Sequence, residues 1–99
     1  MFEGFPAGTF TRLHISGAFG PFKVGRRYEV VRAFTDYDGD PHPPGESWTF
    51  LGHNFVPYED GLSLFVTMDG EREWNLRMCW RGENQASVID HFGDYVRPL

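Results

Sequence analysis

Leu62-Ser63-Leu64-Phe65-Val66-Thr67-Met68, then Asp69-Gly70, then Trp74-Asn75-Leu76-Arg77-Met78-Cys79-Trp80, is the stretch whose reading decides the fold. Leu62, Leu64, Val66 and Met68 recur at every second position, and so do Trp74, Leu76, Met78 and Trp80. A period of two puts alternate side chains on opposite faces of a strand. Asp69-Gly70 carries the chemistry of a tight hairpin turn. Two antiparallel strands are therefore expected, with the large apolar residues facing inward. Asn75, Arg77 and Cys79 fall on the opposite face of the second strand, the alternation of a sheet with one wet side.

Reading outward, Trp48-Thr49-Phe50-Leu51 predicts another strand, stopped at Gly52 and followed by a loop from His53 to Gly61. Before it, Tyr28 to Phe34 is β-branched and aromatic and predicts a strand. Asp36 to Gly45 holds three Asp, two Gly and three Pro in ten residues and predicts turns alone. After the hairpin, Glu83 to Phe92 predicts a short helix, with Asn84 as its N-cap, Val88, Ile89 and Phe92 as its apolar stripe and Gly93 as its C-cap. Tyr95-Val96 is a last short strand. Several short antiparallel strands must close up or expose edges. The expected fold is all-β: a small, SH3-like five-stranded barrel with a short C-terminal helix and an N-terminal extension. Residues 1–22, with Phe at 2, 5, 10, 19 and 22, form that extension; residues 23–99 form the single domain. A length of 99 residues fits one domain, and an aromatic share of 17% predicts a core built on rings.

Local resemblances support this topology. Ala33-Phe34-Thr35-Asp36-Tyr37 resembles the A-L-Y-D-Y signature of eukaryotic SH3 domains, and Gly93-Asp94-Tyr95-Val96 resembles their closing motif. The resemblance implies that Tyr37, Trp48 and Tyr95 floor a peptide groove. Thr35 stands where that family has its first signature tyrosine, and the tandem tryptophan is missing. A longer run, Gly45-Glu46-Ser47-Trp48-Thr49-Phe50-Leu51-Gly52 and then Phe55-Val56-Pro57-Tyr58-Glu59-Asp60-Gly61-Leu62-Ser63-Leu64-Phe65-Val66, is similar to the signature of a small, mainly bacterial family of unknown function. That second resemblance implies no activity, cofactor or partner.

Charge is segregated along the chain. From Ala33 to Glu71 there is no Lys or Arg, while Asp36, Asp38, Asp40, Glu46, Glu59, Asp60, Asp69 and Glu71 all fall there, interleaved with Tyr37, Trp48, Phe55 and Tyr58. Acidic loops with exposed rings attract cationic partners by Coulomb and cation–π contact. The net charge of −5 argues against nucleic acid, which needs clustered positive charge. No run approaches the length of a membrane span, and Met1 to Phe5 lacks the basic start of a signal peptide. The lone Cys79 makes no internal disulfide, so a cytoplasmic protein is expected.

Catalytic and metal motifs are weak. Asp36-Tyr37-Asp38-Gly39-Asp40 spaces oxygens like the start of a calcium loop, but Pro41 stands where that loop needs Gly. No His or Cys pair has zinc spacing. Gly45-Glu46-Ser47-Trp48-Thr49 starts like a nucleophile elbow, lacks its closing Gly and runs into a strand. The expected function is therefore a non-enzymatic binding module for a basic protein or peptide, of a neutralising or immunity type, with no cofactor, metal, membrane or nucleic acid. Its expected binding residues are Asp36, Tyr37, Asp38, Asp40, Glu46, Trp48, Tyr58, Glu59, Asp60 and Tyr95. The alternative is a small enzyme or metal-dependent hydrolase using Glu46, Glu59, Asp60 and His53.

Overall fold

A computed structural model describes residues 4–11, 15–56, 61–81 and 83–99. The hairpin is where the alternation puts it: β6 (Gly61–Thr67) pairs antiparallel with β7 (Arg72–Cys79), Leu64 opposite Leu76 and Val66 opposite Trp74. At its turn Thr67 Oγ1 accepts the Gly70 N–H, and Asp69 Oδ1 accepts those of Glu71 and Arg72. Gly70, at φ +80°, takes the left-handed conformation that a side chain would resist.

β5 (Ser47–Val56) is longer than its sequence suggests and runs straight through Gly52. The register against β6 shifts between Phe50 and Gly52, a bulge at the residue expected to end the strand. Glycine is required there by close approach: a Cβ would lie 2.6 Å from the Ser16 carbonyl oxygen. That contact lets Ser16 and His53 exchange backbone hydrogen bonds of 2.9 and 3.0 Å. Beyond β5 come β2 (Arg27–Val30) and β8 (Val96–Pro98), and β1 (Phe5–Pro6) lies outside β7. Together they form an open antiparallel sheet in the order β1-β7-β6-β5-β2-β8. A separate ribbon joins β3 (Phe34–Thr35) to β4 (Pro41–His42). The fold is mostly β, as expected, but the pairings draw an open six-stranded sheet and a ribbon in place of the closed five-stranded barrel that the sequence suggests.

Its edges are blunted instead of joined. β8 carries Pro98, which has no N–H to offer. Along the outer edge of β7, Glu73 pairs with Phe5, the Arg77 carbonyl accepts the Tyr37 N–H at 2.8 Å, and the Cys79 N–H donates to Gln85 Oε1 at 2.9 Å. Covering an edge this way protects it from pairing with another chain.

The helix expected over 83–92 is broken. α1 (Glu83–Asp90) and α2 (Phe92–Tyr95) are separated by His91, and Gly93 lies inside α2 instead of capping α1. Val88, Ile89 and Phe92 still face the core. That core is ring-rich: Phe22 meets Tyr28, Phe50 and Phe92 with centroids 5.0–5.3 Å apart. Trp48, Phe50, Leu62, Leu64, Val66, Leu76, Met78 and Val96, the residues that alternation points inward, are all buried. The other face of β6 and β7 is wet only in part. Phe65, Ser63, Glu73 and Cys79 are buried there, and only Arg77 is exposed among the odd-numbered residues 73–79.

Candidate functional site

The acidic turn is built around a histidine. The β3–β4 ribbon brings His42 between Asp36 and Glu46, with Nε2 2.8 Å from Asp36 Oδ2 and Nδ1 2.6 Å from Glu46 Oε2. Phe34 stacks on the imidazole at 4.8 Å. His42 is 0% exposed and Asp36 3%. Each ring nitrogen faces a carboxylate oxygen, the arrangement that suits an imidazolium, both of whose nitrogens donate. Burial alone would lower the His42 pKa; the hydrogen bonds and charges of Asp36 and Glu46 outweigh it and raise the value to about 9.

This clamp organises the loop. Asp36 Oδ1 accepts the Asp40 N–H, the Asp36 N–H donates to the Asp40 carbonyl, and the Gly39 N–H donates to the Asp36 carbonyl. Glu46 Oε2 also accepts the Trp48 indole N–H at 3.2 Å. The loop tip is pinned to β7 through Tyr37, which is 55% exposed. Arg77 lies over that ring at 5.3 Å and reaches Asp38 at 3.3 Å. Beneath them a shallow depression is lined by Ser63, Arg77 and Cys79.

The expected binding residues therefore divide. Tyr37 and Asp38 are exposed, and Asp40 is half-buried beside them. Asp36 is corrected from a surface ligand to an interior counter-ion, and Glu46 is committed to His42 and Trp48. Trp48 is 0% exposed, so it floors no groove. Tyr95 is buried against Phe34, with Arg32 over its ring at 4.7 Å. Tyr58, Glu59 and Asp60 lie outside the described residues. His42 is the residue the sequence reading missed as an organiser. Its signal was present: a histidine four residues before Glu46 and six after Asp36 in a run without Lys or Arg.

Of the carboxylate–histidine grouping of the alternative reading, only Glu46 and His53 fall among the described residues, and each has other partners. His53 is buried in β5, its Nδ1 donating to the Gly17 carbonyl at 2.8 Å and its ring packed by Phe19 and Phe55, while Glu46 belongs to the His42 clamp. Among the described residues no His, Cys, Asp and Glu cluster is arranged to hold a metal ion. Asp36 spends both oxygens inside the loop. Millimolar calcium is therefore expected to leave the melting temperature unchanged, whereas a ligand of the native state would raise it; a calcium-specific rise in a thermal melt, absent with magnesium, would refute this. Among the described residues no helix is long and apolar enough to cross a membrane.

An open antiparallel sheet with an ion-clamped loop and a ring-rich core is the class of domain these features define. Residues 19–99 match the profile of a domain of unknown function, DUF3601, and the chain belongs to that family. Among solved structures it is similar to an integron cassette protein, VCH_CASS4, from the mobile metagenome of Vibrio cholerae: the two are 40% identical, the match covers 87% of this chain and 98% of that one, and the TM-score is 0.82. No curated protein matches.

Proposed function

We propose that the protein is a non-catalytic binding module that recognises a basic protein or peptide through the exposed part of its acidic, ring-bearing loops. The observation that supports this reading is Tyr37: an exposed ring on a loop whose root is locked by the buried Asp36–His42–Glu46 bridge. A ring held rigidly before binding loses little entropy on contact, which is the advantage of preorganisation. The chain's own Arg77 illustrates the chemistry. It combines cation–π contact with Tyr37 and a carboxylate contact with Asp38, the pairing that a partner's arginine would make. The commitments of Glu46 and His53 weigh against the hydrolase reading. A neutralising or immunity-type role in the cytoplasm belongs to the same proposal.

The test begins with capture of a partner by the immobilised protein, followed by binding kinetics at 0.1 and 1 M salt, over which the Debye length falls from about 10 Å to about 3 Å. Asp38→Asn is expected to slow association, since exposed charges act on steering. Tyr37→Ala is expected to speed dissociation, by about 2 kcal/mol if the ring is an anchor. Both variants should melt within a few degrees of the parent. Kinetics indifferent to salt and to both substitutions would sink the reading.

A further inference from the structure

Residues 4–11 wrap the edge of β7, from the core-side Trp74 to Phe65 and Glu73 on the outer face, in the manner of a bound peptide. Phe5 and Pro6 add a short strand to the edge of β7, opposite Glu73 and Arg72. Gly4 lies so close to the Trp74 indole that a Cβ there would come within 2.6 Å of it. The segment then turns, with the Thr9 N–H donating to the Pro6 carbonyl, and lays Phe10 on Phe65 at 4.8 Å and 29°. At the centre is the Glu73 carboxylate, 5% exposed. It accepts the backbone N–H groups of Gly8, Phe10 and Thr11 at 2.7–3.1 Å and the Thr11 hydroxyl at 2.9 Å. Burial opposes the charge on Glu73, but these hydrogen bonds prevail and hold its pKa below the usual carboxylate range.

The elements are those of peptide recognition by strand addition: backbone pairing at an edge, one ring stacked on the receptor, and a charged group reading free N–H donors. The receptor and the ligand also differ in standing. Phe65, Glu73 and Trp74 lie within the family match, which starts at residue 19, and the segment that covers them lies outside it. We propose that this face is a peptide-docking site, held in cis by residues 4–11 and able to take the same segment from a second copy of the chain. The proposal is independent of the acidic-loop reading, since the two sites share no residue. Tethering gives the cis segment an effective concentration of about millimolar, so exchange between copies is favoured only when the protein is that concentrated or the cis contact is weakened.

Two measurements test it. In the first, hydrogen exchange of the unmodified chain is followed residue by residue. The amides of Gly8, Phe10 and Thr11 are expected to exchange at least 100-fold faster than those of Leu64 and Val66, through local release that leaves the sheet intact. Equal rates would mean that the segment leaves only when the whole domain unfolds, and would overturn the proposal. In the second, the chain carrying Phe5→Ala and Phe10→Ala is titrated with a fluorescein-labelled peptide of residues 4–11, and anisotropy is read. Saturable binding is expected, weakened about tenfold or more when Glu73→Gln is added, the scale of a hydrogen bond to a charged group. Absence of binding at millimolar peptide, or binding indifferent to Glu73→Gln, would overturn it. Should the double variant fail to fold, the segment is part of the core and the proposal falls with it; the exchange rates of the unmodified chain check that outcome independently.

Discussion

Replacing His42 with leucine is expected to lower the unfolding free energy by about 3–5 kcal/mol at pH 7, the usual scale for removing one partner of a buried ion pair. The cause is specific. Leucine fills much of the space under Phe34 but leaves Asp36 and Glu46 facing each other with no cation between them. Two ionised carboxylates in a low-dielectric site repel and are poorly solvated. The pH profile separates this account from a simple packing defect. In the parent protein His42 titrates at about 9 when folded against 6.5 as its ordinary value. A folded value above the unfolded one means that protons stabilise the fold. The contribution is complete below pH 6.5 and is lost as pH rises through 9, and it amounts to roughly 3 kcal/mol. In His42→Leu that loss between pH 6.5 and 9 should vanish. The variant should instead recover stability on acidification, as the stranded carboxylates take up protons. Urea melts at pH 5, 7 and 9.5 measure all three points. A cost under 1 kcal/mol at pH 7, or a parent protein equally stable at pH 7 and 9.5, would show that the clamp is not a buried imidazolium bridge.

Trp48→Ala is expected to cost about 3–5 kcal/mol, the range for emptying an indole-sized site in a packed interior. Trp48 packs against Phe22 at 5.6 Å and Tyr28 at 6.1 Å, at the junction of the sheet core and the His42 clamp. Trp48→Phe separates the two contributions. It keeps most of the ring volume and removes the indole N–H that donates to Glu46, so a cost of about 1–2 kcal/mol is expected, a lost hydrogen bond with a little lost packing. Denaturant midpoints at unchanged m-value give both numbers. A nearly neutral Trp48→Ala would mean that the ring is at the surface, where the SH3 resemblance would have it, and not in the core.

These effects bear on how the acidic run is understood. Eight acids without a Lys or Arg read as a uniform attractive surface, but the run is divided by depth. Its inner carboxylates, Asp36 and Glu46, neutralise an interior histidine, and Tyr37 and Asp38 are left outside on the loop that the histidine holds. Linear charge density therefore overstates the surface available to a partner, and the binding proposal rests on fewer residues than the sequence offers.

What the sequence by itself determined was the β6–β7 hairpin, its turn, the inward face of eight core residues and the mostly β class. These follow from a period of two and from turn chemistry, both of which act between residues a few positions apart. Membership of a family of unknown function was legible too. Tertiary structure decided the rest, because the deciding partners are distant in sequence. Glu73 is taken up by donors more than 60 positions away, and Gly52 continues a strand because the Ser16 backbone arrives beside it. A local pattern marks a residue as polar but is silent on whether water or a buried counter-charge will satisfy it. For Asp36, His42 and Glu46 that choice was made by the ribbon that brings them together and the phenylalanine that seals them in, so a loop that reads as solvated turns became a tightly ordered polar cluster with a charged histidine at its centre.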